Sequence, residues 1–239
     1  MPTDLLTIPG VGKNMNKNKP NGQKLIKIIK PNIPSDLETT ADLPTLIQQA
    51  REDETEIENQ HFKDLMLSDV DLSRLSFRES LFENCVFSDC SFEKIDLRDV
   101  RFQSCNLSNS NFGEGYFNRC EFKSSKLIGT DFYQAQLQNL FFDDSSLKYA
   151  NFSKARIKDA IFSDCDLRSA TISECKLSKI ELDGANFQEA NFFKTPLKGL
   201  DFTSCEISGL IVAIDDLRGA AVTVYQAAEL AKLLGLIVK

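Results

Sequence analysis

The residues best equipped for chemistry are seven cysteines, Cys85, Cys90, Cys105, Cys120, Cys165, Cys175 and Cys205, and a single histidine, His61. Clustered thiolates would hold zinc, and a thiolate beside a histidine would be a nucleophile. The spacing argues for neither. Every interval between cysteines is a multiple of five, not the close pairing of zinc ligands, and one histidine cannot complete a mixed set. No metal and no cofactor is expected. Gly10-Val-Gly-Lys13 lacks the spacing of a phosphate loop. Without a nucleophile–base pair, a metal set or a phosphate loop, the chain is not expected to be an enzyme.

The cysteine interval belongs to a longer rhythm that must position everything else. A large apolar residue, always Phe, Leu or Ile, stands at every fifth position from Phe62 to Ile207, thirty in succession, and Ile57 and Val212 extend the register. Neither a helix, with period 3.6, nor a strand, with period 2.0, repeats this way. Two residues earlier stands a small or aliphatic side chain, and all seven cysteines occupy that slot. They are expected to be buried, reduced small hydrophobes. Asp or Asn often precedes the central residue, as at Asp71, Asn106, Asn111, Asp131, Asn151 and Asn191. Every twentieth residue from Phe62 reads Phe six times, then Leu182 and Phe202. That predicts a four-sided coil of about twenty residues, with coils stacked at about 4.8 Å and a rod of about 36 Å.

Units such as Ala150-Asn-Phe-Ser-Lys, Ala185-Asn-Phe-Gln-Glu and Ala190-Asn-Phe-Phe-Lys resemble the pentapeptide repeat family, with its Ala-(Asp/Asn)-Leu-X-X consensus. The resemblance covers about residues 57 to 212 and implies an all-β solenoid, a right-handed quadrilateral β-helix with short helical caps at both ends. Four regions are expected: a basic extension over 1–30, an N-terminal cap over 31–56 with a short helix from Asp42 to about Glu52, the β-helix over 57–213, and a C-terminal helix and dimerisation tail over 214–239.

The chain has 239 residues and a net charge of −7. Residues 1–30 hold six lysines against Asp4, a net of +5, which leaves −12 for the rest. Leu5 to Lys13 resembles the hairpin of helix-hairpin-helix DNA-binding modules. Asn14 to Gly22 combines poor helix formers with Pro and Gly, so no second helix follows and direct nucleic-acid binding is not expected. No signal peptide and no membrane-length apolar run is visible, which points to a cytoplasmic protein with no membrane partner.

Thr223 and Gln226 form a Thr-x-x-Gln capping box ahead of a helix that Gly235 stops. Its apolar residues exceed what one coil needs as cover. A homodimer is expected through Val224, Ala228, Leu230, Ala231, Leu233, Leu234, Leu236, Ile237 and Val238. Pro196 to Thr203, Val222-Thr223 and Leu234 to Lys239 resemble the C-termini of Qnr-like pentapeptide proteins, although Val224 stands where such tails often carry Pro. That likeness implies a type II topoisomerase, DNA gyrase or topoisomerase IV, as partner, with the rod as a DNA-shaped mimic and a bearing on quinolone susceptibility. The loops that interrupt plasmid-borne Qnr repeats have no counterpart in this uninterrupted register. The alternative is a structural or adaptor solenoid that binds another protein.

Sorted by side, the outward slots around the Phe62 column hold nine acids, Asp64, Glu83, Glu121, Asp143, Asp144, Asp164, Glu181, Asp183 and Asp201, against Lys63, Arg101 and Lys123, a net of −6. The neighbouring Phe77 column holds four acids against eight bases, a net of +4. The acidic side is the expected partner-binding surface.

Overall fold

A computed structural model of the protein describes residues 28–238, so the basic segment expected over 1–30 lies outside the described residues except for its last three. The period of five is written in the backbone. Every fifth residue from Glu54 to Lys194 has a left-handed φ, between +46° and +68°. On two sides of the coil this residue is the third of a tight turn: Ile95 N–H donates to Phe92 O (3.1 Å) around Lys94, and Ala135 N–H to Phe132 O (3.0 Å) around Gln134. A positive φ at that position makes these type II turns. On the Phe77 side the left-handed residue bends an eight-residue strand around a corner, as at Asp99, Arg119 and Asn139, and on the Phe62 side it directly follows the strand, as at Ser104 and Ser124.

The strands are β1 (Glu38–Thr40), β2 (Ile57–Glu58), β3 (Gln60–Lys63), β4 (Met66–Ser68), β5 (Ser76–Glu83), β6 (Val86–Ser88), β7 (Asp96–Gln103), β8 (Tyr116–Lys123), β9 (Gln136–Asp143), β10 (Arg156–Ser163) and β11 (Lys176–Asp183). One parallel sheet runs β1-β3-β5-β7-β8-β9-β10-β11 with β2 on β5; β4 and β6 form a second. From β3 onward each residue of a long strand pairs with the one twenty positions later, for example Phe102 with Phe122. The chain is therefore a parallel β-solenoid of four-sided coils.

Burial explains the register. The central residues from Phe62 to Ile207 are buried apart from Leu67 and Leu177, which are half-buried. Phe62, Phe82, Phe102, Phe122, Phe142 and Phe162 form one stack with ring centroids 4.6–5.0 Å apart. A second stack, Phe92, Phe112, Phe132 and Phe152, rises on the opposite side with spacings of 4.4–5.4 Å. The stacks meet edge-on, Phe142 against Phe152 at 6.5 Å and 87°, the geometry aromatic quadrupoles favour. Where Leu182 replaces Phe the first stack ends, and an apolar cavity of about 20 Å³ opens among Phe162, Ile180, Leu182 and Phe192. It is too small for a substrate.

The slot two before the centre most often takes Cys, Ala, Ser or Thr, with aliphatic residues such as Ile95, Val100, Leu140 and Leu200 buried at the same place in other coils. Polar members other than Ser110 find partners there: Ser125 Oγ donates to Lys123 O (2.9 Å) and accepts from Cys105 N–H (3.1 Å), and Cys120 Sγ lies 3.4 Å from Leu97 O, whereas the buried Ser110 hydroxyl has none. Gly115 occupies this slot beneath Phe117, whose ring a Cβ would meet at 2.9 Å. Six cysteines are buried, and Cys205, in the last coil, is half-buried. The Asp and Asn residues before the centre accept the N–H two residues on, as Asp131 does from Tyr133 (2.9 Å) and Asn191 from Phe193 (2.9 Å). These Asx turns set the tight corners at which they occur.

At one end α1 (Leu43–Glu52) buries Leu43, Ile47 and Ala50 in the same core, with Asp42 as N-cap accepting from Thr45 N–H (3.1 Å). At the other, α2 (Val224–Ala231) starts at the Thr223–Gln226 capping box, and Gln226 Nε2 donates to Phe202 O and Cys205 O, both at 2.8 Å. A short 3-10 turn follows, and Gly235 ends it at φ +74°. Among the described residues no helix is long and apolar enough to cross a membrane, and no group of three or more His, Cys, Asp or Glu could hold a metal.

Candidate interaction surfaces

The nine acids expected on one side are not equivalent in the structure. Asp64, Asp144, Asp164 and Asp183 are exposed; Glu83, Asp143, Glu181 and Asp201 are half-buried; Glu121 is buried. Glu121 is ion-paired with Arg101 one coil earlier, so it does not belong to the exposed surface that column-sorting assigned to it. Glu83 is likewise engaged, by Lys63 (3.2 Å) and His61 (3.0 Å). Asp201 shapes its own turn, accepting from Thr203 N–H (2.9 Å) and hydroxyl (2.6 Å).

The exposed charge therefore gathers toward the C-terminal half. From Phe141 onward the outward slots of this side hold Asp143, Asp144, Asp164, Glu181, Asp183 and Asp201 and no Lys or Arg. Six acids over four coils of about 4.8 Å give roughly one charge per 3 Å, within a factor of two of duplex DNA at one per about 1.7 Å. The crowding is felt locally. Burial and the carboxylates of Glu121, Asp144 and Asp164 push the Asp143 carboxyl above its ordinary value, against the pull of Lys123. Gly184 belongs to this strip for a steric reason: it has φ +63°, and a Cβ there would come within 2.5 Å of Asp164 Oδ1.

The basic side is largely neutralised at its start, Arg78 by Glu56, Arg98 by Asp96 (2.8 Å) and Arg119 by Asp99. Arg156, Lys158 and Lys176 are exposed farther along.

At the C-terminal end, α2 turns Leu230 toward the last coil together with Leu217, Ala220 and Val222. Of the residues expected to face a second copy, Val224, Leu233, Leu234, Leu236, Ile237 and Val238 are exposed, Val224 and Ile237 by more than four-fifths. Ala228, Leu230 and Ala231 are half-buried. Tyr225, 87% exposed beside Val224, belongs to this patch and escaped the sequence reading because a tyrosine at a helix start carries no periodic signal.

The sequence matches the family described as pentapeptide repeat region over residues 75–152, 115–192 and 142–212. No curated protein matches it. Solved structures of similar type include full-length QnrB1, a plasmid-mediated fluoroquinolone resistance protein (23% identity, 74% of this chain and 91% of that one, TM-score 0.48). HetL, involved in heterocyst differentiation regulation in the cyanobacterium Nostoc, matches at 15% identity over 73% of this chain and 92% of that one, TM-score 0.31. A thylakoid-lumen protein from Arabidopsis thaliana matches at 25% identity over 41% of this chain and 66% of that one, TM-score 0.30.

Proposed function

Because the chain belongs to the pentapeptide repeat family, whose members are in general structural or interaction proteins rather than enzymes, we propose that it is a binding rod whose partner is a type II topoisomerase. The acidic strip from Asp143 to Asp201 enters the basic groove that otherwise receives DNA, and two chains join through the exposed C-terminal patch. The observation that carries this reading is the strip itself: six acids in four successive coils, without an intervening Lys or Arg on that side. The partner class is taken from the likeness of the C-terminal tail to Qnr-like proteins. Quinolone protection is a narrower matter, because the repeat carries no interrupting loop.

The test is supercoiling by purified gyrase in the presence of the full chain. Exchanging Asp144, Asp164 and Asp183 for Lys should weaken inhibition about tenfold or more, while exchanging Arg156, Lys158 and Lys176 for Glu should leave it nearly unchanged. Both variants keep the fold. The side chains point outward, and lysine already holds the left-handed conformation at Lys94, Lys154, Lys179 and Lys194 (φ +54° to +61°). Inhibition should also fall as salt shortens the screening length from about 8 Å. Equal effects of the two triple variants, or no inhibition by wild type at high micromolar concentration, would turn the reading toward an adaptor with another protein partner.

A further inference from the structure

Outward slots of a solenoid should be wet, yet one corner of this rod is dry. Asp99, Asn139 and Phe141 are each at most 7% exposed, and Phe141 lies outside the core cluster. Residues 28–34 lie over them. Asn32 N–H donates to Asp99 Oδ1 (3.0 Å), Ile29 N–H donates to Asn139 Oδ1 (3.3 Å), and Lys30 Nζ lies 5.4 Å from the centre of the Phe141 ring. Pro31 is buried, and Ile28, Ile33 and Pro34 are half-buried. The prolines hold φ near about −65° and push Lys30 and Ile33 toward extended conformations, so the segment is drawn out along the rod. Its rise fits the coil. Ile29 and Asn32 are three residues apart, about 9.3 Å in a polyproline II chain. Asp99 and Asn139 occupy the same slot two coils apart, about 9.6 Å.

Both acceptors are set by the solenoid itself. Arg119 holds the two Asp99 oxygens, with Nε on Oδ1 at 2.7 Å, and Asn139 Nδ2 donates to Asn118 Oδ1 (3.2 Å), which fixes its amide. Burial alone would raise the Asp99 carboxyl, but hydrogen bonds from Arg119 and from Asn32 N–H hold it below the ordinary value. The groove therefore reads main-chain N–H groups at a fixed spacing, beside an aromatic face for a cation and room for proline. Those contacts are equally open to another chain with the same pattern. We propose that this corner groove is a docking site for extended, proline-containing segments of other proteins, and that residues 28–34 are its resident competitor. The ligand has the form apolar-x-basic-Pro-x-apolar-Pro, as in Ile28-Ile-Lys-Pro-Asn-Ile-Pro34. A tethered occupant acts at an effective concentration in the millimolar range. The closed rod thus answers only to segments that bind more tightly than its own. The proposal does not rest on the topoisomerase reading.

The test is fluorescence anisotropy of a labelled synthetic peptide with the sequence of residues 28–37, titrated with the full chain. Pro31→Asp puts a carboxylate into a buried position and should lift the resident segment. That variant should bind the peptide at least tenfold more tightly than wild type. Pro31→Gly with Pro34→Gly loosens the segment through chain entropy and should shift binding in the same direction; it decides the matter if circular dichroism shows Pro31→Asp to be misfolded. A peptide N-methylated at Ile29 and Asn32 lacks both donors and should bind the variants at least tenfold more weakly. Adding Asn139→Ser to either variant should cancel the gain, since serine already holds the left-handed conformation at Ser104, Ser124 and Ser169 but offers no amide oxygen. Equal binding by wild type and the loosened variants, no binding to any of them, or an N-methylated peptide that binds as well as the unmodified one would overturn the proposal.

Discussion

Phe122 and Phe162 occupy the same column and the same slot of their long strands, yet their aromatic surroundings differ. Phe122 is stacked on both sides, 5.0 Å from Phe102 and 5.0 Å from Phe142. Phe162 is stacked only on Phe142, at 5.0 Å, because Leu182 follows and the cavity of about 20 Å³ begins there. Replacing each by Leu removes the same atoms from a buried site and leaves a residue the column already accepts at Leu182. The common loss cancels in the comparison, and one stacked pair remains, worth about 0.5–1.5 kcal/mol, to which the looser contacts of Phe122 with Phe117 (6.4 Å) and Phe132 (6.5 Å, edge-on) can only add. Phe122→Leu should therefore destabilise the protein more than Phe162→Leu by about that amount. The assay is urea unfolding followed by circular dichroism, with the slope required to stay constant across variants so that midpoints can be compared. Repeat proteins sum local terms along the rod, so the Phe122→Leu/Phe142→Leu double variant supplies an internal check: its cost should fall short of the sum of the single costs by a similar coupling. Equal costs for Phe122→Leu and Phe162→Leu, or the opposite order, would mean that ring stacking does not stabilise the column and that Phe is there for volume alone.

Three further outcomes follow from the packing. A thiol reagent should label Cys205 first and the other six cysteines only as slowly as the protein opens, read by mass spectrometry of the native protein. Burial pushes the Cys120, Cys165 and Cys175 thiols up to about 12, above the ordinary value near 8.5. The unfolded chain then loses these protons first, so stability should be full below about pH 8.5 and decline above it, by up to about 1.4 kcal/mol per pH unit per thiol; urea midpoints measured from pH 7 to 10 check the sign. Gly115→Ala should cost about 1–3 kcal/mol as an overpacked site, since the new Cβ meets both the Phe117 ring and Phe112 O at 2.9 Å, and thermal unfolding reads it.

The core was legible because burial constrains what a slot can hold. Only large apolar residues fill the centre of a side, small or aliphatic ones stand two residues before it, and both classes recur without interruption from Phe62 to Ile207. The left-handed residue two after each centre left a fainter trace. Asp, Asn, Ser and Gly tolerate that conformation best, and they are frequent there (Asp64, Asn84, Ser104, Gly129), but Arg74, Lys94 and Tyr149 occupy it as well and blur the signal. The segment 28–37 left none: it has no period, and its hydrogen bonds, Asn32 N–H to Asp99 Oδ1 and Ile29 N–H to Asn139 Oδ1, join residues 67 and 110 positions apart. Column-sorting of charge counted Glu121 and Asp144 alike, although one is buried and paired with Arg101 and the other faces water. Partners of outward residues depend on what lies over the side, and the repeat does not encode that.

The acidic strip and the apolar patch are coupled by their order along the rod. The six acids fall in the coils that carry residues 141–204, and α2 with its exposed Val224, Tyr225, Leu234, Leu236 and Ile237 closes the same end. A two-fold dimer through that patch sets the two strips toward the middle of a doubled rod, leaving the first coils and α1 at its tips. A partner with two equivalent basic surfaces would then be held by both strips at once, and the second contact forms at the effective concentration set by the first. Leu234→Asp with Ile237→Asp should break the dimer while sparing the fold, since both side chains are exposed in the single chain, by 60% and 87%. Sedimentation should show the wild type as a dimer at micromolar concentration and the variant as a monomer, with the same circular dichroism. If the strips act together, inhibition per chain should drop at least tenfold in the monomer although every acid is intact. A monomeric variant that inhibits as well as wild type would show that one strip suffices and that dimerisation serves some end other than partner binding. A wild type that sediments as a monomer would remove the patch from the mechanism altogether.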